Sequence, residues 1–95
     1  MKNPVNPNTP FGMLYNQGRT TNLNNGPANT AVVKLVAARS AMRLFANGII
    51  PYRGFRLKDL KEFFGVKGNK VAVYEQLDAL LESIREYEMT QIDEA

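Results

Sequence analysis

The stretch Thr30-Ala31-Val32-Val33-Lys34-Leu35-Val36-Ala37-Ala38-Arg39-Ser40-Ala41-Met42-Arg43-Leu44-Phe45-Ala46-Asn47-Gly48 reads as one helix. Thr30 is a good N-cap, the residues after it are largely helix formers, and Asn47-Gly48 is a stop signal. At 100° per residue, Val33, Val36, Ala37, Ala41 and Leu44 share one face, and Leu35, Ala38, Met42 and Phe45 share another. Only a strip around Arg39 and Arg43 is polar. A helix that is apolar nearly all round needs cover on several sides, more than two short neighbours supply. We therefore expect the Val33–Leu44 face to form the core, and the second face, through Met42 and Phe45, to dock on a protein partner or a second copy. The alternative is that Met13, Leu14 and Tyr15 cover that face from within the chain.

Moving toward the C-terminus, the connector Ile49-Ile50-Pro51-Tyr52-Arg53-Gly54-Phe55-Arg56 leads to a short helix over 57–64, with Leu57, Leu60 and Phe64 on one side and Gly65 as its end. After the tight turn Val66-Lys67-Gly68-Asn69, the spacing of Val73, Tyr74, Leu77, Leu80, Leu81, Ile84 and Tyr87 predicts a longer helix over 70–88. Opposite this stripe, Asp78, Glu82 and Glu86 repeat every fourth residue, a mildly repulsive solvated face that Arg85 relieves.

Moving toward the N-terminus, residues 1–29 hold four of the five prolines, eight asparagines and only two charges, Lys2 and Arg19. Each Asn-Pro or Thr-Pro step disfavours helix in the preceding residue, and Asn24-Asn25-Gly26-Pro27 is a turn or coil signal. The expected architecture is thus all-α: a three-helix domain over 30–95 (helices at 30–46, 57–64 and 70–88) preceded by an extended Asn/Pro-rich arm over 1–29. Within the arm, Phe11-Gly12-Met13-Leu14-Tyr15 is a lone apolar cluster, with Phe11, Met13, Leu14 and Tyr15 as candidate partner-docking residues. Its other reading is a local lid on the domain.

Charge is more informative by segment than as the total of +3. From Lys34 to Lys70 nine basic residues oppose Asp59 and Glu62, so 9 − 2 = +7. From Glu75 to Ala95 Arg85 opposes seven acids, so 1 − 7 = −6. Such a dipolar chain points to an anionic partner for the middle, or to the two halves neutralising each other within the fold or across a dimer.

The chain has no His and no Cys, which removes the commonest general base, the commonest metal ligand and the thiolate nucleophile. Ser40 and Ser83 lie in helical patterns, and the carboxylates crowd into the C-terminal end without a cleft signal. The expectation is a protein that is not an enzyme and takes no metal, no cofactor and no small-molecule substrate. At 95 residues it is one domain, with no bilayer-length apolar run and no apolar leader, which suggests an intracellular or virion setting.

Residues 57–77, Leu57 through Phe64-Gly65-Val66-Lys67-Gly68-Asn69-Lys70 to Leu77, resemble two families of DNA-binding module. Aligned to the helix-turn-helix, Leu60, Phe64, Gly65, Val66, Val71 and Tyr74 occupy core and turn positions. That resemblance implies that Lys67, Asn69, Lys70, Ala72 and Gln76 face the groove, with Val73 beside them. Gly68-Asn69-Lys70-Val71-Ala72-Val73-Tyr74-Glu75-Gln76-Leu77 is equally similar to the Gly-x-Lys-x-x-apolar-apolar-x-x-Leu pattern of the SAP family, which implies that Val73, Tyr74 and Leu77 are buried. Under either pattern, free N–H groups at the start of the last helix, Gly68, and Lys67 and Lys70 make a place for a phosphate. Gly65-x-x-Gly68-x-Lys70 lacks the Walker spacing, so no nucleotide site is expected. Two functions follow. The first is a DNA-associated helical module whose Arg53, Arg56, Lys67, Gly68, Asn69 and Lys70 meet phosphates, anchored by its arm. The second is a structural or assembly subunit of a virion or large complex, docking through the arm and the first helix.

Overall fold

The computed structural model describes residues 3–24 and 26–94, with side chains as far as Thr90. Asn25 of the turn signal and the acidic side chains of Asp93 and Glu94 lie outside that description. The order is α1 (Pro10–Asn16), β1 (Thr20–Leu23), β2 (Gly26–Asn29), α2 (Thr30–Ala46), α3 (Leu57–Phe64) and α4 (Lys70–Glu94). The expectation of a three-helix all-α domain behind an extended arm is therefore corrected. Four helices and a two-stranded antiparallel sheet are present, and the additional helix and the sheet both lie within residues 1–29.

Short-range chemistry builds α1. The Thr9 hydroxyl accepts from the Gly12 N–H at 2.9 Å, and Pro10 occupies the first turn, where its missing N–H costs nothing. The next residue, Phe11, is buried, with its ring 5.1 Å from Phe64 and 6.4 Å from Phe63. Gly12 permits this approach: a Cβ there would stand 1.8 Å from the Asn6 carbonyl oxygen, so the helix seats against the preceding chain only without a side chain.

The hairpin pairs Thr20 with Asn29 and Leu23 with Gly26, and Pro27 is tolerated because each strand of a two-stranded sheet has an open edge. It feeds directly into α2. Asn29, not Thr30, is the cap: its Oδ1 accepts from the Ala31 N–H at 2.9 Å, while its Nδ2 donates to the Tyr15 carbonyl at 3.2 Å. Thr30 instead joins its hydroxyl to that of Thr21 at 2.9 Å. A single asparagine thus starts α2 and ties it to the end of α1.

The core consists chiefly of Phe11, Leu35, Met42, Phe64 and the α4 row Val73, Leu77, Leu81 and Ile84. That row follows helical spacing, as the sequence stripe predicts, and the helix runs six residues past position 88 (94 − 88 = 6). On α2 the assignment of faces is reversed. Leu35 and Met42 are fully buried, whereas Leu44, expected in the core, is 41% exposed. The Leu35–Met42 side turns inward to join the α4 row, and α1, which packs against both α2 and α3, adds further cover. Among the described residues, no buried polar side-chain atom lacks a partner.

Candidate nucleic-acid interface

Two segments carry the candidate phosphate-binding residues, and glycine shapes both. In the connector, Gly48 and Gly54 take positive φ of 83° and 86°. The first lets the chain leave α2, with the Gly48 N–H bonded to the Phe45 carbonyl at 3.0 Å, and the second lies within a turn in which the Phe55 N–H reaches the Tyr52 carbonyl at 3.2 Å. Phe55 anchors the loop: its ring lies 4.9 Å from Phe45, and Tyr52 stands edge-on to it at 5.4 Å. With Phe55 turned inward, Arg53 and Arg56 are exposed, as are Ile49, Ile50 and Tyr52.

In the second segment, Gly65 at φ 67° ends α3, with the Gly65 and Val66 N–H groups both reaching the Lys61 carbonyl. Gly68, at φ 109°, then leads to Asn69, whose Oδ1 accepts from the Ala72 N–H at 2.9 Å. The Gln76 amide closes the turn by donating to the Lys67 carbonyl and accepting from the Lys67 N–H. Asn69 and Gln76 therefore act within the turn rather than toward a ligand, and one of the free N–H groups at the α4 start is already used. What the turn presents outward is the pair of exposed ammonium groups, Lys67 and Lys70.

The two segments meet through an aromatic cluster. The Lys70 Nζ sits 5.9 Å from the centroid of Phe45, the ring that Phe55 packs on. Arg56 joins Lys34 at the edge of a groove of about 420 Å³ between α2, the connector and α3. Across the whole basic segment, charge neutralisation is slight. Among the described residues the ion pairs are Arg39–Asp78 at 3.0 Å and Arg85–Glu82 at 3.6 Å, and only the first joins the basic middle to the acidic end. Seven of the nine cations from Lys34 to Lys70 are exposed. Among the described residues, internal neutralisation, one of the two readings of the dipolar charge, thus shows as a single pair between the two regions.

The residues expected to dock on a partner are placed differently. Phe11 and Met42 are buried in the core, Leu14, Tyr15 and Phe45 pack partly buried against it, and only Met13, at 57% exposure, stands in solvent. The Phe11–Tyr15 cluster thus packs on its own chain, which is the placement that its other reading, a local lid on the domain, expects. The residues that sequence reasoning passed over are Lys34 and Tyr52, although an aromatic immediately before Arg53 in the connector was a legible signal. Val73, the position on which the two DNA-binding patterns disagree, is fully buried.

Comparison with known proteins finds no matching family model, no matching curated protein and no matching solved structure. Among the described residues, no helix is long and apolar enough to cross a membrane.

Proposed function

We propose that this chain is a non-enzymatic binding module for nucleic acid, whose connector and α3–α4 turn meet the phosphate backbone. The observation that carries the reading is the exposed cation set: Lys34, Arg43, Arg53, Arg56, Lys58, Lys67 and Lys70 are all exposed, and among the described residues none of them forms an ion pair. Exposed cations that are not paired internally are free to release condensed counterions from a polyanion, which is the main source of sequence-independent affinity. The SAP-like pattern at Gly68–Leu77 supports the same reading, since burial of Val73 and Leu77 is what that pattern implies.

The test is a salt series. In anisotropy titrations, the double change Lys67→Ala and Lys70→Ala is expected to reduce the slope of log K against log salt by about 1 to 2, with weakening similar for all sequences. An unchanged slope would remove the turn from the interface.

A second reading is favoured by a specific feature of the same loop. Ile49, Ile50 and Tyr52 are exposed by 52%, 72% and 58%, beside Leu44 at 41%. Large apolar side chains grouped on one surface mark protein-docking sites. On this reading the chain is an assembly subunit that docks through the connector, with the cations at its rim.

A further inference from the structure

We infer that the groove between α2, the connector and α3 takes single-stranded nucleic acid, with Tyr52 as the platform on which a base stacks. The inference rests on the nucleic-acid reading and specifies the form of the ligand.

The geometry is that of a stacking site. Tyr52 is 58% exposed, its ring lies nearly perpendicular to that of Phe55 at 88°, and Phe55 packs on Phe45. More than half of the residue is thus open to a ligand, and the ring it packs against is itself held on Phe45. Beside it, the groove has a floor of small residues, Ala37, Ala38 and Ala41, which lets a flat ring approach the α2 backbone. Lys34 and Arg56 line the same groove and are exposed, so a phosphate on either side of a stacked base meets a cation. Asp59 is the one acid in the lining. An aromatic face flanked by cations along a groove is the arrangement that binds single strands with little sequence preference, because every base has a π-face.

The same surface is poorly suited to a duplex. Insertion of a helix into the major groove needs its N-terminal side chains free and not acidic. At the start of α4 Lys70 is exposed and basic, but Val73 is buried, Gln76 is tied to Lys67 and the exposed Glu75 is acidic. A paired base is also unavailable for stacking on Tyr52.

The deciding experiment uses the full chain, a fluorescein-labelled oligothymidylate and a mixed-sequence duplex of equal length, in anisotropy titrations at low and moderate salt. Wild type is expected to bind the single strand more tightly than the duplex. Tyr52→Ala is expected to weaken single-strand binding by about five- to 100-fold, with duplex affinity and the salt slope nearly unchanged. Tyr52→Phe retains binding, and Tyr52→Trp gives indole fluorescence that the single strand quenches. Circular dichroism checks that each variant folds. Equal affinity for the two forms, or a Tyr52→Ala variant that binds the single strand as wild type does, overturns the inference while leaving the phosphate-binding reading intact. Absence of salt-dependent binding to either form overturns both.

Discussion

At the residue scale, Gly12 and Tyr15 hold the N-terminal segment in place, and each makes a distinct prediction. Because a Cβ at position 12 would meet the Asn6 carbonyl oxygen at 1.8 Å, and that neighbour is backbone rather than a flexible side chain, Gly12→Ala must move α1 away from the chain before it. The expected cost is about 1–3 kcal/mol, a fall in Tm of several degrees by thermal melt. An unchanged Tm would mean that α1 is not held against Asn6. The Tyr15 hydroxyl donates to Glu88 Oε1 at 3.2 Å, linking α1 to α4. Burial, followed by the Glu88 carboxylate and Tyr87, pushes its pKa up from 10.0 to about 12. A raised pKa for an acid means that the folded state favours the neutral form. The stabilisation is therefore complete below pH 10 and is lost as pH rises from 10 toward about 12. Urea melts across that range are expected to show a steeper loss of stability for wild type than for Tyr15→Phe. Parallel curves would remove Tyr15 from the pH response.

At the scale of the element, α2, α3 and α4 were legible because their signals are local and periodic. Thr30–Ala46 and Leu57–Phe64 match the expected limits, Gly65 ends α3 in a left-handed conformation, and the α4 stripe is the buried face. What periodicity does not contain is which of two apolar faces looks inward, since that depends on neighbours elsewhere in the chain. On α2 the inward side packs chiefly against α4 and is further covered by α1, a seven-residue helix too short to show a repeat and preceded by prolines that read as coil. The hairpin was equally hidden: Asn22 and Pro27 face each other in its register, and neither residue favours a strand. The reversed faces give a paired prediction. Met42→Ala, at a fully buried position, should cost about 2–5 kcal/mol in denaturant unfolding, whereas Leu44→Ala should cost under about 1 kcal/mol. Equal costs would contradict the packing of α2.

At the scale of the whole molecule, the charge asymmetry was legible and its spatial consequence was not. Segment sums of +7 and −6 suit both an anionic partner and internal neutralisation, and only three-dimensional placement separates them. Among the described residues a single pair, Arg39–Asp78, joins the two charge regions; its side chains are 28% and 46% exposed, so it contributes under about 1 kcal/mol. The phosphate-facing candidates Arg53, Arg56, Lys67 and Lys70 are all exposed. Asn69 and Gln76 were not separable from them by sequence, because capping and turn closure use the same polar side chains that contact a ligand. The central claim is that this exposed basic surface engages a polyanion. Its most direct test is the affinity of the wild-type chain for nucleic acid measured from low to physiological salt. The account predicts that log K falls linearly with log salt, with a slope of magnitude roughly 2 or more for either strand form. A chain that binds neither form at the lowest salt would contradict it.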